Sequence, residues 1–169
     1  MRNAKIPLIL LKTTIFTAIA PFTVGLWLPT QLHRAFDGPR YGRLDALAVI
    51  PSVILLGAGA AIYLWCAWDF SVKGLGTPAP IDAPKNLVVK GLYRFVRNPM
   101  YVGVFCLIAS RAVYFWSFAV VLYLVFVATC VQLFIVFYEE PHLRKVFGEQ
   151  YLEYCQRVPR WIPRIRATR

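Results

Sequence analysis

Two short stretches of this chain carry the residue types that chemistry needs. Asn86–Gly103 reads NLVVKGLYRFVRNPMYVG, and Tyr138–Pro163 reads YEEPHLRKVFGEQYLEYCQRVPRWIP. In the second, Glu139 and Glu140 follow directly on a long apolar run. An acidic pair there is either an interfacial pair neutralised by Arg97, Arg144 or Lys145, or a carboxylate set to hold a cationic or hydroxyl-bearing ligand. In the first, Asn98-Pro99 reads as a helix start, with Asn as N-cap and Pro as first residue. The Asn amide also has hydrogen-bonding capacity to offer a ligand. Tyr93 and Tyr101 are interface aromatics, or rings that pack on an adenine or face a cation. Glu139, Glu140 and Tyr101 are the candidates for accepting a proton.

These residues need elements to position them, and composition says which kind. The 169 residues are 59% hydrophobic and only 16% charged, yet the net charge is +11. A soluble fold this small has too little interior for so much apolar surface. Disorder requires low hydrophobicity and is excluded as well. An all-α integral membrane protein with basic ends is the class that remains. A span needs about 20 apolar residues. The runs predict about four transmembrane helices, at 6–28, 46–68, 99–115 and 117–138. Met100–Tyr138 is nearly twice one span, so it should fold as a hairpin with its turn near Trp116-Ser117. The first run is expected to remain as a span rather than a cleaved signal, with Lys12 snorkelling toward the basic end. Gly57, Ala58, Gly59, Ala60 and Ala61 should let helices approach closely. Trp65 and Trp68 suit an interface. Phe147, Tyr151 and Tyr154 recur at helical spacing, which predicts an amphipathic C-terminal helix ended by Pro159 and Pro163.

The basic residues set orientation. With four spans, both termini and the Asp69–Asn98 loop share a side, and most of the cations lie there. The expectation is a multi-pass protein of a bacterial cytoplasmic membrane, both termini cytoplasmic, its cations attracting anionic lipids. The charge follows membrane sidedness, so nucleic-acid binding is not expected. No obligate protein partner is evident. Cys66, Cys106, Cys130 and Cys155 form no CxxC pair and read as buried free thiols. His33 and His142 lie far apart, so no metal site is expected. The chain reads as one membrane domain, 1–169, comprising a two-helix segment, 1–68, and a core, 85–163.

The two chemical stretches resemble the isoprenylcysteine carboxyl methyltransferase and phospholipid methyltransferase family. The shared residues are Gly91, Tyr93, Arg97, Asn98, Pro99, Tyr101, Gly103, Glu139, Glu140, Leu143, Phe147, Gly148, Tyr151, Tyr154, Val158, Pro159 and Pro163. Order, spacing and the length of the intervening hairpin agree from Lys85 to Pro163. The resemblance implies S-adenosylmethionine as methyl donor and a lipophilic acceptor drawn from the bilayer. It implies that Lys85, Asn86, Leu87, Val88 and Tyr93 line the cofactor pocket, partly through backbone groups. Asn98 stands where the family usually has His; Tyr101 contacts the cofactor, Glu139 anchors it, and Glu140 is a cofactor or structural partner. Asn98 hydrogen-bonds but cannot titrate. The eukaryotic prenylcysteine enzymes carry an Arg four residues before the first Glu, where this chain has Ile135. That difference weakens a carboxylate acceptor and leaves lipid amine, thiol or hydroxyl open. Two other readings are an NADPH-dependent membrane sterol or enone reductase, and a non-catalytic transport or assembly protein on the same fold.

Overall fold

The structure is a computed structural model that describes residues 6–37, 46–74 and 86–163. The described residues are helical and contain no strand. Helix α1 (Ile6–Phe22) passes through a π-helical turn, Thr23–Trp27, straight into α2 (Leu28–Phe36). Helix α3 (Ala46–Asp69) ends in a second π-helical turn, Phe70–Gly74. A short 3-10 turn, Gly91–Arg94, precedes α4 (Pro99–Phe115). Helix α5 (Phe118–Phe134) continues through a π-helical turn, Ile135–Glu139, into α6 (Glu140–Phe147) and then α7 (Glu149–Arg157).

Three helical stretches are long and apolar enough to cross a membrane: Leu11–Phe36, Ala46–Val72 and Phe118–Phe147. Helix α4 is a shorter apolar helix. The helices outrun the expected spans 6–28, 46–68 and 117–138 because π-helical turns carry the chain past the apolar runs without a break. The hairpin turns where expected: Trp116 adopts a left-handed φ of 51° and Ser117 caps α5, its hydroxyl accepting from Val120 N at 3.1 Å. Large apolar side chains such as Leu47, Phe118, Phe126 and Phe137 stand exposed on the outer faces, where lipid rather than water is their solvent.

Helices α3 and α4 make the most extensive contact. Of the small-residue stripe, Gly59 is the position that permits it. A Cβ there would lie 2.8 Å from Gly103 O, and one on Gly103 would lie 3.0 Å from Gly59 O. Gly57 faces open space. At the end of the bundle away from the acidic pair, His33 stacks on Phe115 with centroids 4.3 Å apart. The Ser117 hydroxyl donates to Asp37, joining α2 to the hairpin turn. The cysteines are free, but only Cys66 is buried; Cys130 is exposed. The expectation of buried thiols fails there because α5 turns that face outward to lipid. No group of three or more metal-ligating side chains occurs among the described residues.

The expected amphipathic C-terminal helix is two helices, α6 and α7, broken at Gly148, whose φ is 53°. Tyr151, Tyr154 and Val158 form a buried cluster against which Leu143 and Phe147 pack. This cluster fixes the chain's return across the end of the bundle.

Candidate functional site

The two acidic neighbours have separate tasks. Successive helical residues diverge by about 100° around the axis, and the π-helical turn ends between them. Glu139 accepts a hydrogen bond from the Tyr101 hydroxyl at 3.0 Å. Glu140, 5% exposed, accepts from Arg97 Nη1 at 2.9 Å and from Arg160 Nε and Nη2 at 2.9 and 3.0 Å. Arg144 stands 3.8 Å away and is half exposed. Of the cations that sequence spacing offered, Arg97 and Arg144 stand beside Glu140, whereas Glu139 pairs with Tyr101. Arg160 supplies two of the bonds and is absent from the residues that sequence spacing singled out.

Arg97 is the hub of this corner. Nη1 also lies 2.9 Å from Cys155 Sγ, and its backbone N–H donates to Pro159 O at 2.9 Å. Burial works against the guanidinium charge, but Cys155 and Glu140 outweigh it and hold the pKa above its ordinary value. Asn98 occupies the N-cap position of α4 with Pro99 next, yet its side chain makes no capping bond. Its Nδ2 instead donates to Arg160 O at 3.4 Å. The strap from Val158 to Pro163 is thus held from below. Its far end is held too: Trp161 Nε1 donates to Gln132 Oε1 at 2.9 Å, and its ring lies 5.7 Å from Phe105.

Tyr93 is buried in a cluster with Cys66 and Val88. Burial pushes its phenol well above the usual value, and nearby Cys66 adds to this. The Tyr154 hydroxyl donates to Tyr93 O at 2.8 Å. Burial raises the Tyr154 phenol as well, with Arg97 pulling partly the other way, so it remains a donor. Gly91 makes the preceding turn at φ +64°, packed so tightly that a Cβ there would collide with Asp69 Oδ2.

These side chains border one cavity of about 220 Å³. Tyr93, Asn98, Tyr101, Glu139 and Arg97 form its polar mouth. The remainder is a mostly apolar shaft whose walls come from α1 and the turn after it, α3 and the turn after it, α4 and α5. Four of the expected site residues therefore meet in one place. The side chains of Leu87 and Val88 pack instead into the Tyr151–Tyr154 and Cys66–Tyr93 clusters. Asn86 is exposed, and Glu140 faces its arginines. Lys85 lies outside the described residues. The sequence offers no candidate site residue in the first two spans, yet Phe16, Ala20 and Val24 of the first helical stretch line the shaft. Their signal was the i, i+4, i+8 spacing, which places all three on one helical face.

Arg97 keeps a buried Nε with no partner among the described residues, while its Nη1 is engaged by Glu140 and Cys155. Glu139 presents a carboxylate for an ammonium or a hydroxyl, and Tyr93 and Tyr101 present rings.

A family model described as phospholipid methyltransferase matches residues 47–150. The curated protein-S-isoprenylcysteine O-methyltransferase B of Arabidopsis thaliana is 35% identical over 84 residues, which cover 46% of this chain and 40% of that protein. The chain thus matches less than half the length of that relative. No solved structure matches.

Proposed function

Because the chain belongs to the phospholipid methyltransferase family, we propose that it is an S-adenosylmethionine-dependent methyltransferase acting on a lipophilic small molecule or lipid. The observation that carries this reading is the single cavity in which Glu139, Tyr101, Tyr93 and Asn98 meet an apolar shaft. A polar donor enters at the mouth and a lipophilic acceptor occupies the shaft. When bound, S-adenosylmethionine supplies an activated methyl group on a sulfonium.

The chain's residues supply position and a dry surround, which are the principal aids to an in-line displacement. Tyr101 fixes the Glu139 carboxylate through their 3.0 Å bond. Glu139 anchors the donor's polar end, with the Tyr93 and Tyr101 rings beside it. An amine, thiol or hydroxyl acceptor loses a proton on methylation, and Glu139 is the carboxylate in the cavity wall able to take it. Among the described lining residues Arg97 is the one cation, and Glu140 already engages it. Ile135, at the position where the prenylcysteine enzymes carry an arginine, is buried and brings no cation to the cavity. A neutral or amine acceptor therefore suits the shaft better than a carboxylate.

The excess of Lys and Arg in the terminal and Asp69–Asn98 segments of the sequence supports placing the mouth and both termini on the cytoplasmic side of the membrane, in contact with anionic lipids. Calorimetry on the purified protein tests the donor assignment. Micromolar binding of S-adenosylmethionine, lost in Glu139→Ala, is expected. No such binding together with tight binding of NADPH would replace this reading with the reductase.

A further inference from the structure

The first helical stretch contributes a wall of the cavity from outside the matched family segment. Phe16, Ala20 and Val24 line it, and all three precede residue 47, where the match begins. The deep end is closed. Val24, Val104 and Val127 border the cavity and also pack against the buried cluster of Ile108, Ala112 and Val120. The Tyr123 hydroxyl donates to Val24 O at 3.1 Å, which ties α5 to the π-helical turn at that depth. Leu107 closes on the next residue, its Cβ lying 3.1 Å from where a Cβ on Gly25 would stand. Beyond Val24 there is packed core rather than space.

Resting on the methyltransferase reading, we propose that this wall gauges the acceptor: Val24 is the specificity-determining floor, and the site takes an apolar tail of at most about ten carbons that ends there. The eight-residue interval from Phe16 to Val24 rises about 12 Å at 1.5 Å per residue. An extended alkyl chain advances roughly 1.25 Å per carbon, given bonds near 1.5 Å. The surround is the right kind for such a tail. Charge is confined to Arg97 and Glu139 at the mouth, and Thr17 Oγ1 and Tyr63 OH are within 3.4 Å of one another. A longer tail has nowhere to go below Val24 and gains no further burial.

The test is photolabelling of the purified protein with primary alcohols that carry a diazirine at the chain end. The ten-carbon probe should label Val24, Val104 and Val127 saturably and be displaced by excess decanol. The six-carbon probe should label nearer Phe16 and Ala20. Val24→Trp should cut the deep labelling at least tenfold while S-adenosylmethionine affinity changes less than twofold. Ala20→Leu, a milder obstruction higher in the shaft, should do the same if Val24→Trp fails to fold. Deep labelling unchanged in a folded variant overturns the proposal, as does labelling confined to outward residues such as Leu122 and Phe126. Obstruction-sensitive labelling in a protein that binds no S-adenosylmethionine would sink the methyltransferase reading and leave the tail site standing.

Discussion

Exchanging each acid of the Glu139–Glu140 pair for glutamine separates site from scaffold. Glu140→Gln keeps the shape but removes the charge that holds Arg97 and Arg160. The side chains of Glu140, Arg97 and Arg160 are 7%, 14% and 29% exposed. Breaking a buried ion pair by removing one partner costs about 3–5 kcal/mol. Arg160 reaches some water, and the half-exposed Arg144 adds little, so the low end applies: about 3 kcal/mol. For a chain of this size each kcal/mol moves the midpoint by roughly 2–4 °C, so Tm should fall by about 6–12 °C. Glu139→Gln turns the charge-assisted bond from Tyr101 into a neutral one and breaks no ion pair; its Tm should stay within about 3 °C while S-adenosylmethionine affinity falls at least tenfold. The assay is thermal unfolding in detergent, followed by calorimetry on each folded variant. Equal losses of Tm, or an unaltered Tm in Glu140→Gln, would refute the division of labour.

Gly103→Val should abolish accumulation of folded protein, because a Cβ at Gly103 already lies 3.0 Å from Gly59 O and Tyr63 N. Gly57→Val should be tolerated, since nothing lies within 4 Å of its Cβ position; membrane expression levels compare the two. Gly91→Ala should weaken S-adenosylmethionine binding about tenfold, or about 1.4 kcal/mol, because it strains φ +64° and pushes Asp69 away from the turn bearing Tyr93. Single cysteines at position 80 and at the C-terminus should label from the same side of the membrane; labelling from opposite sides would refute the four-span arrangement.

The hairpin was legible because a run of nearly two span lengths has one economical solution, and Ser117 is a good cap. The termini of the long helices were not. Hydropathy marks where lipid ends, but a helix stops only where its backbone bonding stops, and three π-helical turns carry it onward. The mouth was legible because its residues are polar or aromatic and recur in a known order. Glu139 and Glu140 were visible as a pair, but their division was not: it depends on helical phase and on Arg160, which reaches Glu140 only after Gly148 and Pro159 redirect the chain. The shaft wall on the first helical stretch stayed hidden because the i, i+4, i+8 spacing of Phe16, Ala20 and Val24 marks a common face but not whether that face meets lipid or its neighbours. Only the packing of Val24, Val104 and Val127 against one cluster shows that this face turns inward.

The central claim is methyl transfer to a lipophilic acceptor at the Glu139 mouth. Its most direct test is incubation of the purified protein with methyl-labelled S-adenosylmethionine and a membrane lipid extract, followed by identification of the labelled product. Label is expected in an organic-soluble product bearing an apolar tail, absent with Glu139→Ala and retained with Gly57→Val. Label that never leaves the aqueous donor, or appears equally with Glu139→Ala, would contradict it.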